Sequence, residues 1–426
     1  MHLNGFQCLA CSARQPDDFA GYVCPACGGN LDVTYDCAAI RREIHSERDH
    51  RDAREDLFRY GYLLPVSRLD LASPLRVGMT PLYAAPRLGA LAGLKQVFVK
   101  DDGLNPSASF KDRAGAVALI RARETGAKVV AAASTGNAGS SMACLAASVG
   151  LPCVIFVPEQ APPAKLAQLL VFGAHVLAVR GTYDDAYDLC RKVCEARGWF
   201  NRSTGYNPFT REGKKTCSFE ICEQLDWDAP DRVVVPTGDG NILSGIWKGM
   251  RDLHAIGLIS RLPKVDCAQS EGSAAVSNAV WKLRAAKPGP ASPDWSKVRI
   301  EAVKAATLAD SISVDRPRDG LAALRAVIES GGEAVTVPDA EILAAIPEIA
   351  RQAGVFAEPA AACAWACLKR MAKEGRVNPE ERVVCLITGS GLKDVGNARK
   401  TAGRARVMDP TVEAASAALD ELVPGL

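Results

Sequence analysis

Long apolar runs are absent from the 426-residue sequence: none approaches the roughly 20 residues that a membrane-spanning helix needs. The amino terminus also lacks the basic and then apolar regions of a secretory signal, so we expect the protein in the cytoplasm. An excess of either charge is missing too, with 51 basic and 49 acidic side chains. We therefore expect neither nucleic acid nor a membrane as a partner.

Low-complexity segments and repeats of about 20 to 50 residues are also missing. The length fits two or three domains, and the hydrophobic fraction of 48% and charged fraction of 23% are ordinary for a globular protein. The fifteen cysteines are odd in number, and many, such as Cys144 and Cys363, lie in apolar helical contexts. In a reducing compartment we expect small buried side chains and no disulfide framework.

Four cysteines near the amino terminus follow a different pattern. They form two Cys-x2-Cys pairs with twelve residues between them: Cys8, Cys11, Cys24 and Cys27. Two such pairs can close a tetrahedral thiolate site, and Gly28 and Gly29 would let backbone N–H groups face the sulfurs. The pattern predicts a structural zinc ribbon over residues 1–35, which are too few to fold without such a metal. Four thiols without metal are the alternative.

The next stretch, residues 36–75, is predicted to be an N-terminal helical extension, because its dense charges alternate in sign as on a solvated helix face. Beyond it, short apolar strands alternate with helices of ten to fifteen residues. The predicted strands are 96–100, 128–133, 153–157, 175–179, 232–236, 265–268 and 382–387. This alternation predicts an α/β fold of parallel βαβ units. Residues 401–426 are predicted to be a C-terminal helical tail.

Lys111 lies between the turn signal Asn105-Pro106 and the predicted start of a helix. Ser107 and Ser109 are good candidates for the caps of that helix. A turn gives a lysine little freedom, and a partly desolvated lysine loses its proton easily enough to attack a carbonyl group. The position therefore suggests a Schiff-base lysine, although the pattern alone also fits a lysine with no catalytic role.

Three glycine-rich loops follow predicted strands, where ligands bind in doubly wound sheets. Residues 134–139 offer two hydroxyls and an amide at a helix start, which suits a carboxylate. Residues 237–242 suit a phosphate, because glycine lets the ligand approach the backbone N–H groups. Residues 388–394 follow the last strand in the same way. Each loop alone can be purely structural, but three loops and a turn lysine predict one shared site.

Five motifs in these regions resemble those of the threonine synthase family: Ser109-Phe-Lys-Asp-Arg113, Ser134-Thr-Gly-Asn-Ala138, Gly238-Asp-Gly-Asn-Ile242, Glu358-Pro359 and Thr388-Gly-Ser-Gly-Leu-Lys-Asp394. The resemblance runs from about Thr80 to Asp394. It implies two doubly wound parallel-sheet domains around a pyridoxal 5′-phosphate cleft, as in the tryptophan synthase β subunit, preceded by the zinc ribbon. Residues 76–400 would form this catalytic region, with a smaller subdomain, about 112–200, inserted in the larger one.

The resemblance also implies roles for single residues. Lys111 would hold the cofactor and shuttle protons. Asn137 would bond the phenolic oxygen of the cofactor, and Thr388 would face its pyridine nitrogen. Ser134 and Thr135 would hold the substrate carboxylate. Glu358 would line the cofactor cavity or merely cap a helix. The cofactor phosphate would be bound by Gly238, Asp239, Gly240, Asn241 and Ile242.

Two of the departures from the family pattern concern the phosphate of the substrate. Ala138 stands where the family usually has threonine, and Thr210 where it usually has an arginine that helps to hold the phosphate of O-phosphohomoserine. An arginine comes one residue later, at Arg211. We therefore predict Thr210 and Arg211 as substrate ligands, with Lys214 or Lys215 as substitutes.

The predicted activity is that of a threonine synthase, which converts O-phospho-L-homoserine to L-threonine and phosphate. Because of Ala138 and Thr210, the alternative is a pyridoxal-phosphate-dependent ammonia-lyase or β-replacement enzyme that acts on an unphosphorylated amino acid. A third hypothesis is a non-catalytic binding module that recruits a partner through the ribbon. The resemblance also implies a homodimer.

Overall fold

The computed structural model describes residues 2–46, 54–286 and 293–422. A three-stranded antiparallel sheet comes first, built from β1 (Leu3–Cys8), β2 (Arg14–Gln15) and β3 (Leu31–Tyr35) in the order β2–β1–β3. Leu31, Val33 and Tyr35 are buried and the residues between them are not, because side chains alternate along a strand. One face of this ribbon therefore packs on the body of the protein.

The segment after the ribbon contains three short helices. Helix α1 (Cys37–Ser46) is followed by two 3-10 helices, Leu57–Leu63 and Leu69–Leu71. Arg41, Arg42 and Glu43 are exposed on α1. The rest of the predicted charged face falls partly on residues 47–53, which lie outside the described residues.

Strands and helices then alternate through most of the chain. In chain order they are β4 (Leu82–Ala84), α2 (Pro86–Ala90), β5 (Gln96–Asp101), α3 (Lys111–Glu124), β6 (Val130–Ala133), α4 (Asn137–Ser148), β7 (Cys153–Pro158), α5 (Pro163–Val171), β8 (His175–Val179), α6 (Tyr183–Arg197), β9 (Phe200–Asn201), α7 (Phe209–Gln224), β10 (Arg232–Pro236), α8 (Asn241–Ala255), β11 (Lys264–Ser270), α9 (Ala275–Ala286), α10 (Gly320–Ser330), β12 (Ala334–Val337), α11 (Asp339–Ala353), α12 (Pro359–Lys373), β13 (Arg382–Ile387), α13 (Val395–Ala398) and α14 (Val412–Leu422).

These strands form two sheets, which confirms the predicted parallel α/β fold. The larger sheet has the order β12–β11–β10–β13–β5–β4 and is parallel except for the edge strand β4. The smaller sheet has the order β8–β7–β6–β9 and is entirely parallel. Among the helices within the described residues, none is long and apolar enough to cross a membrane.

The larger sheet is covered on both faces, as its strand sequences require. All five residues of β10 are buried, and Val233 and Val235 pack into one apolar cluster while Val234 packs into another. Strands that are buried on both faces are continuously apolar instead of alternating. The carboxyl ends of the parallel strands lie at one edge of each sheet, and the glycine-rich loops follow them there.

Helix α7 lies at the centre of this arrangement. Every residue from Phe209 to Cys222 is buried, and the helix packs against both α3 and α8. A Cβ atom on Gly213 would lie 2.0 Å from the carbonyl oxygen of Arg113 in α3. Glycine is therefore required where α7 and α3 approach each other at backbone distance.

Candidate active site

Lys111 is the first residue of α3, as the sequence predicts, but the two serines before it do not cap the helix. The cap position is occupied by Phe110, which has no side-chain oxygen. Ser107 instead donates two hydrogen bonds to the carboxylate of Asp112, from its backbone N at 2.7 Å and its Oγ at 2.6 Å. The Oγ of Ser109 is buried and has no hydrogen-bond partner in the described parts of the chain. The prediction of serine caps was wrong, because the helix starts later and Asp112 in its first turn accepts the bonds.

The loop after β13 holds the lysine turn in place. The backbone N of Phe110 donates to the carbonyl of Thr388 at 2.9 Å, and that of Ser390 donates to the carbonyl of Ala108 at 3.1 Å. The Nζ of Lys393 in the same loop donates to the carbonyl of Ser107 at 2.8 Å. Backbone bonds on both sides of Lys111 fix its position relative to the end of the central strand.

The ammonium group of Lys111 is easier to deprotonate than usual. Burial lowers its pKa to about 8, and the charge of Arg202 acts in the same direction, whereas Glu358 and Asp239 oppose the shift. A pKa of about 8 leaves a substantial neutral fraction near neutral pH. The neutral amine is the form that attacks a carbonyl group.

Lys111 faces a cavity of about 450 Å³ at the carboxyl ends of the strands. Predicted site residues from all three loops line it together with the lysine: Ser134, Thr135, Asn137, Gly238, Asp239, Gly240, Asn241, Ile242 and Thr388. Ala138 lines it as well. The hydroxyl of Thr388 has no hydrogen bond in the described parts of the chain, so it can bind a ring nitrogen.

The loop between β10 and α8 is shaped to cradle a phosphate. Gly240 has φ +88°, and a Cβ there would lie 2.7 Å from the Cβ of Ala323. A Cβ on Gly238 would lie 2.9 Å from the Cα of Ile312. Both positions thus require glycine. Helix α8 begins directly afterwards, and the first N–H groups of a helix have no partner within it and attract anions.

Lys214 of α7 reaches the same loop. Its Nζ lies 2.5 Å from the Oδ1 of Asn241, and it has no acidic partner within ion-pair distance among the described residues. Burial lowers its pKa well below the usual value, and the charges of Lys111 and Arg202 lower it further. A buried cation without a counter-ion is costly, so this corner of the cavity suits an anion such as a phosphate.

Asn137 is tied to Glu358 in this structure. The Nδ2 of Asn137 lies 3.0 and 3.2 Å from the two carboxylate oxygens of Glu358. Burial raises the pKa of Glu358, although the hydrogen bond from Asn137 and the charge of Lys111 oppose this. Glu358 precedes α12 without a side-chain cap bond and does not line the cavity. Its side chain instead orients the amide of Asn137.

Thr210 and Arg211 lie outside the cavity, contrary to their predicted role as substrate ligands. The hydroxyl of Thr210 donates to the carbonyl of Asn207 at 2.8 Å. Arg211 points away towards the ribbon, with Nη1 2.8 Å from Asp32 and Nη2 2.5 Å from Asp319. Lys215 likewise pairs with acidic side chains and does not line the cavity. Of the proposed substitutes, only Lys214 does.

Two further residues at the site were not recognised in the sequence. Asp319 bonds to the phosphate loop from more than seventy residues away in the chain, and no local pattern marks it. Arg316 lines the cavity with an exposed side chain that makes no ion pair or hydrogen bond within the described ranges. Its signal, one arginine in an irregular segment, is too common to be noticed.

The four ribbon cysteines converge at a separate point. Their Sγ atoms all lie within 4.8 Å of one another. A Cβ on Gly29 would lie 3.0 Å from the Sγ of Cys8, so the backbone passes close to the sulfurs. Four thiols at this spacing fit a four-coordinate metal ion and leave no position for a substrate.

The residues around Lys111 fit pyridoxal phosphate, because this lysine shares one cavity with a glycine cradle, a second buried lysine and a hydroxyl. Comparisons with known proteins agree. The family described as pyridoxal-phosphate dependent enzyme matches residues 74–389. The threonine synthase of Methanocaldococcus jannaschii is 38% identical over 389 residues, which are 91% of this chain and 92% of that protein.

A second threonine synthase, from Methanosarcina acetivorans, is 36% identical over 409 residues, or 96% of both chains. Among solved structures, the processed threonine deaminase isoform 2 of Solanum lycopersicum has a TM-score of 0.64 at 21% identity, covering 82% of this chain and 88% of that one. Maize serine racemase has a TM-score of 0.61 at 20% identity, covering 76% and 91%. These structures share the fold. The chain therefore belongs to the pyridoxal-phosphate-dependent enzymes and, within them, to the threonine synthases, which are lyases.

Proposed function

We propose that the protein converts O-phospho-L-homoserine and water to L-threonine and phosphate. One observation carries this proposal: Lys111 shares its cavity with two separate loops suited to anions and with Arg316, which has no ion pair or hydrogen bond among the described residues. A substrate with one anionic end needs fewer such elements. An amino acid that carries a distal phosphate, bound beside a cofactor that has its own phosphate, uses all of them.

Pyridoxal phosphate would be held by residues already described. Lys111 would bind it covalently, the phosphate loop and Lys214 would neutralise its phosphate, and the hydroxyl of Thr388 would donate a hydrogen bond to the pyridine nitrogen. When bound, the cofactor supplies an electron sink for bond breaking beside the amino-acid α carbon. A hydroxyl at that nitrogen, in place of a carboxylate, leaves the nitrogen largely unprotonated, which favours elimination and replacement over other outcomes.

Lys111 also carries the protons that this reaction moves. With substrate in the cavity, the Nζ of Lys111 would take a proton from the α carbon and return one to the substrate. A pKa of about 8 suits both directions, because a proton carrier works best when its pKa is near the working pH. The backbone bonds around Phe110 keep this amine at the cavity wall while it is free.

The two ends of the substrate have different partners in this proposal. Ser134 and Thr135, at the start of α4, would hold the α-carboxylate. Arg316 would hold the distal phosphate, in place of the family arginine that is Thr210 here. An arginine binds phosphate through charge-assisted hydrogen bonds, which are stronger than neutral ones.

The remaining parts of the proposal concern the ribbon and the assembly. We propose a structural zinc ion at Cys8, Cys11, Cys24 and Cys27. The homodimer and the cytoplasmic location stay predictions from the sequence.

The first experiment tests the reaction itself. Purified protein loaded with pyridoxal phosphate should be yellow and should release phosphate and L-threonine in equal amounts from O-phospho-L-homoserine. Lys111→Ala should lose both the visible absorbance band and the turnover. The ammonia-lyase alternative would be established by two results together. Phosphate release would be no faster than without protein, and a 2-oxo acid would form from an unphosphorylated amino acid.

The second experiment tests the ligand of the distal phosphate. Arg316→Gln should raise KM for O-phospho-L-homoserine about tenfold, since a charged hydrogen bond of about 1.5 kcal/mol corresponds to such a factor. The visible absorbance of the bound cofactor should not change. Arg87→Gln is the matched control, because Arg87 is exposed on α2 and does not line the cavity. Equal KM values for the two variants would exclude Arg316 from the site.

A further inference from the structure

The edge of the ribbon meets the catalytic region at Arg211. Nη1 of this arginine bonds Asp32 at 2.8 Å and the carbonyl oxygen of Leu31 at 3.2 Å, both on β3. Nη2 bonds the Oδ1 of Asp319 at 2.5 Å. Arg211 is 3% exposed and Asp319 is fully buried. The arginine therefore joins the ribbon to the residue that precedes α10 in a desolvated contact.

Asp319 in turn holds the phosphate loop from two directions. Its Oδ2 accepts a hydrogen bond from the Nδ2 of Asn241 at 2.7 Å, and its backbone N donates to the carbonyl of Asp239 at 2.9 Å. The backbone N of Arg318 donates to the Oδ1 of Asp239 at 3.0 Å. Gly240, between these two loop residues, packs against the same segment. The conformation of the loop thus depends on Asp319.

A second contact from the ribbon reaches Asp319 directly. The Nδ2 of Asn30 donates to its Oδ1 at 2.8 Å and to the carbonyl of Arg318 at 2.9 Å. The carbonyl of Asn30 accepts from the backbone N of Leu9, which lies between Cys8 and Cys11. The cysteine end of the ribbon is therefore connected to the phosphate loop through two residues.

We propose that Asp319, Arg211 and Asn30 are positioning residues for the cofactor phosphate, so that the ribbon is a working part of the cofactor site. This proposal rests on the binding of pyridoxal phosphate at Lys111, but it does not depend on which amino acid is the substrate. Asp319 balances the charge of Arg211 and orients Asn241, whose Oδ1 accepts from Lys214. Without that carboxylate, the side chain of Asn241 in the phosphate loop loses the hydrogen bond that fixes its orientation.

The test compares two probes in the purified protein after removal of cofactor: pyridoxal phosphate and pyridoxal, which lacks the phosphate. Dissociation constants are measured from the visible absorbance. Asp319→Asn removes the negative charge beside Arg211 and replaces one of the two accepting oxygens with an amide group that can only donate. The variant should weaken pyridoxal phosphate binding about tenfold or more. Pyridoxal binding should stay within about twofold of wild type, since Lys111 is untouched. The ³¹P resonance of the bound phosphate should shift.

The matched control is Asp266→Asn. Asp266 is a buried carboxylate paired with Arg232 at 2.7 Å, and it does not line the cavity. This variant should lower the melting temperature without a preferential loss of pyridoxal phosphate. If Asp319→Asn lost affinity for both probes by the same factor, the cause would be a general loss of structure, and the proposal would be overturned.

A variant on the ribbon itself keeps the proposal testable if Asp319→Asn does not fold. Asn30→Ala should weaken the binding of pyridoxal phosphate more than the binding of pyridoxal. The factor should be smaller than for Asp319→Asn. Thr34→Val is its control, because among the described residues the hydroxyl of Thr34 donates to the carbonyl of Gly5 and to no residue outside the ribbon. If Asn30→Ala binds both probes like wild type, the ribbon is not part of the cofactor site.

Discussion

Replacing Glu220 with glutamine should destabilise the protein by removing the centre of a buried charge cluster. One carboxylate oxygen of Glu220 accepts from the Nζ of Lys100 at 2.7 Å, and the other from the Nη1 of Arg113 at 2.5 Å. All three side chains are completely buried. Glu220→Gln removes one negative charge, which leaves Arg113 paired with Asp102 and leaves Lys100 without an acidic partner among the described residues. Arg113 lies two residues after Lys111, so the cluster supports the lysine turn.

The expected loss in the free energy of unfolding can be calculated in two ways. Breaking a buried ion pair from one side typically costs about 3–5 kcal/mol. Burial raises the pKa of Glu220, but the charges of Arg113 and Lys100 outweigh it and lower this pKa from 4.5 to about 2. At 1.36 kcal/mol for each pKa unit, that change corresponds to about 3 kcal/mol. With an unfolding entropy of about 2.1 cal/mol/K per residue, the melting temperature should fall by roughly 3–6 °C.

Thermal unfolding of the cofactor-loaded protein, followed by circular dichroism, measures this effect. A depressed carboxyl pKa contributes stability that is complete above the unfolded-state value and is lost as the pH falls through the folded-state value. The difference in melting temperature between wild type and Glu220→Gln should thus be constant above about pH 4.5 and shrink towards pH 2. Glu301→Gln, at an exposed pair with Lys282, is the control and should melt like wild type. A difference in melting temperature that does not depend on pH would refute the electrostatic reasoning.

Three other predictions follow from the site and the ribbon. Recombination of cofactor-free protein with pyridoxal phosphate should speed up with a midpoint near pH 8, because only the neutral amine of Lys111 reacts; a rate independent of pH from 6 to about 9 would contradict this. Cys24→Ser should lose bound zinc in metal analysis and lower solubility, whereas Cys37→Ser, outside the cluster, should retain both. Gly240→Ala should weaken pyridoxal phosphate at least about tenfold in an absorbance titration, since its φ is +88° and its Cβ would approach Ala323; unchanged affinity would show that the loop can move.

Local sequence patterns predicted the elements that carry the site. The strands 175–179, 232–236 and 382–387 have the predicted bounds, because apolar runs between turn signals specify buried strands strongly. The loops after such strands lie close together in any parallel sheet. The sequence alone therefore predicted that Ser134, Asn137, Gly238 and Thr388 share one site.

Side-chain directions could not be predicted in the same way. Arg211 and Lys214 are three residues apart on α7, yet only Lys214 lines the cavity, because Asp32 and Asp319 hold the arginine on the other side. Those two partners come from segments about 180 residues before and 110 residues after it. A single sequence contains no signal for such distant pairing. The same limitation applies to Ser107, whose bonds depend on where the helix starts.

The burial of α7 has a consequence for how substrate preference can change during evolution or engineering. This one helix contacts the ribbon through Arg211, the cavity through Lys214 and the charge cluster through Glu220, and its residues from Phe209 to Cys222 are all buried. A substitution there alters several functions at once, so most would be eliminated by loss of stability before a new activity could be selected. Libraries aimed at new substrates should therefore vary the cavity segments that are not part of α7, such as residues 311–316.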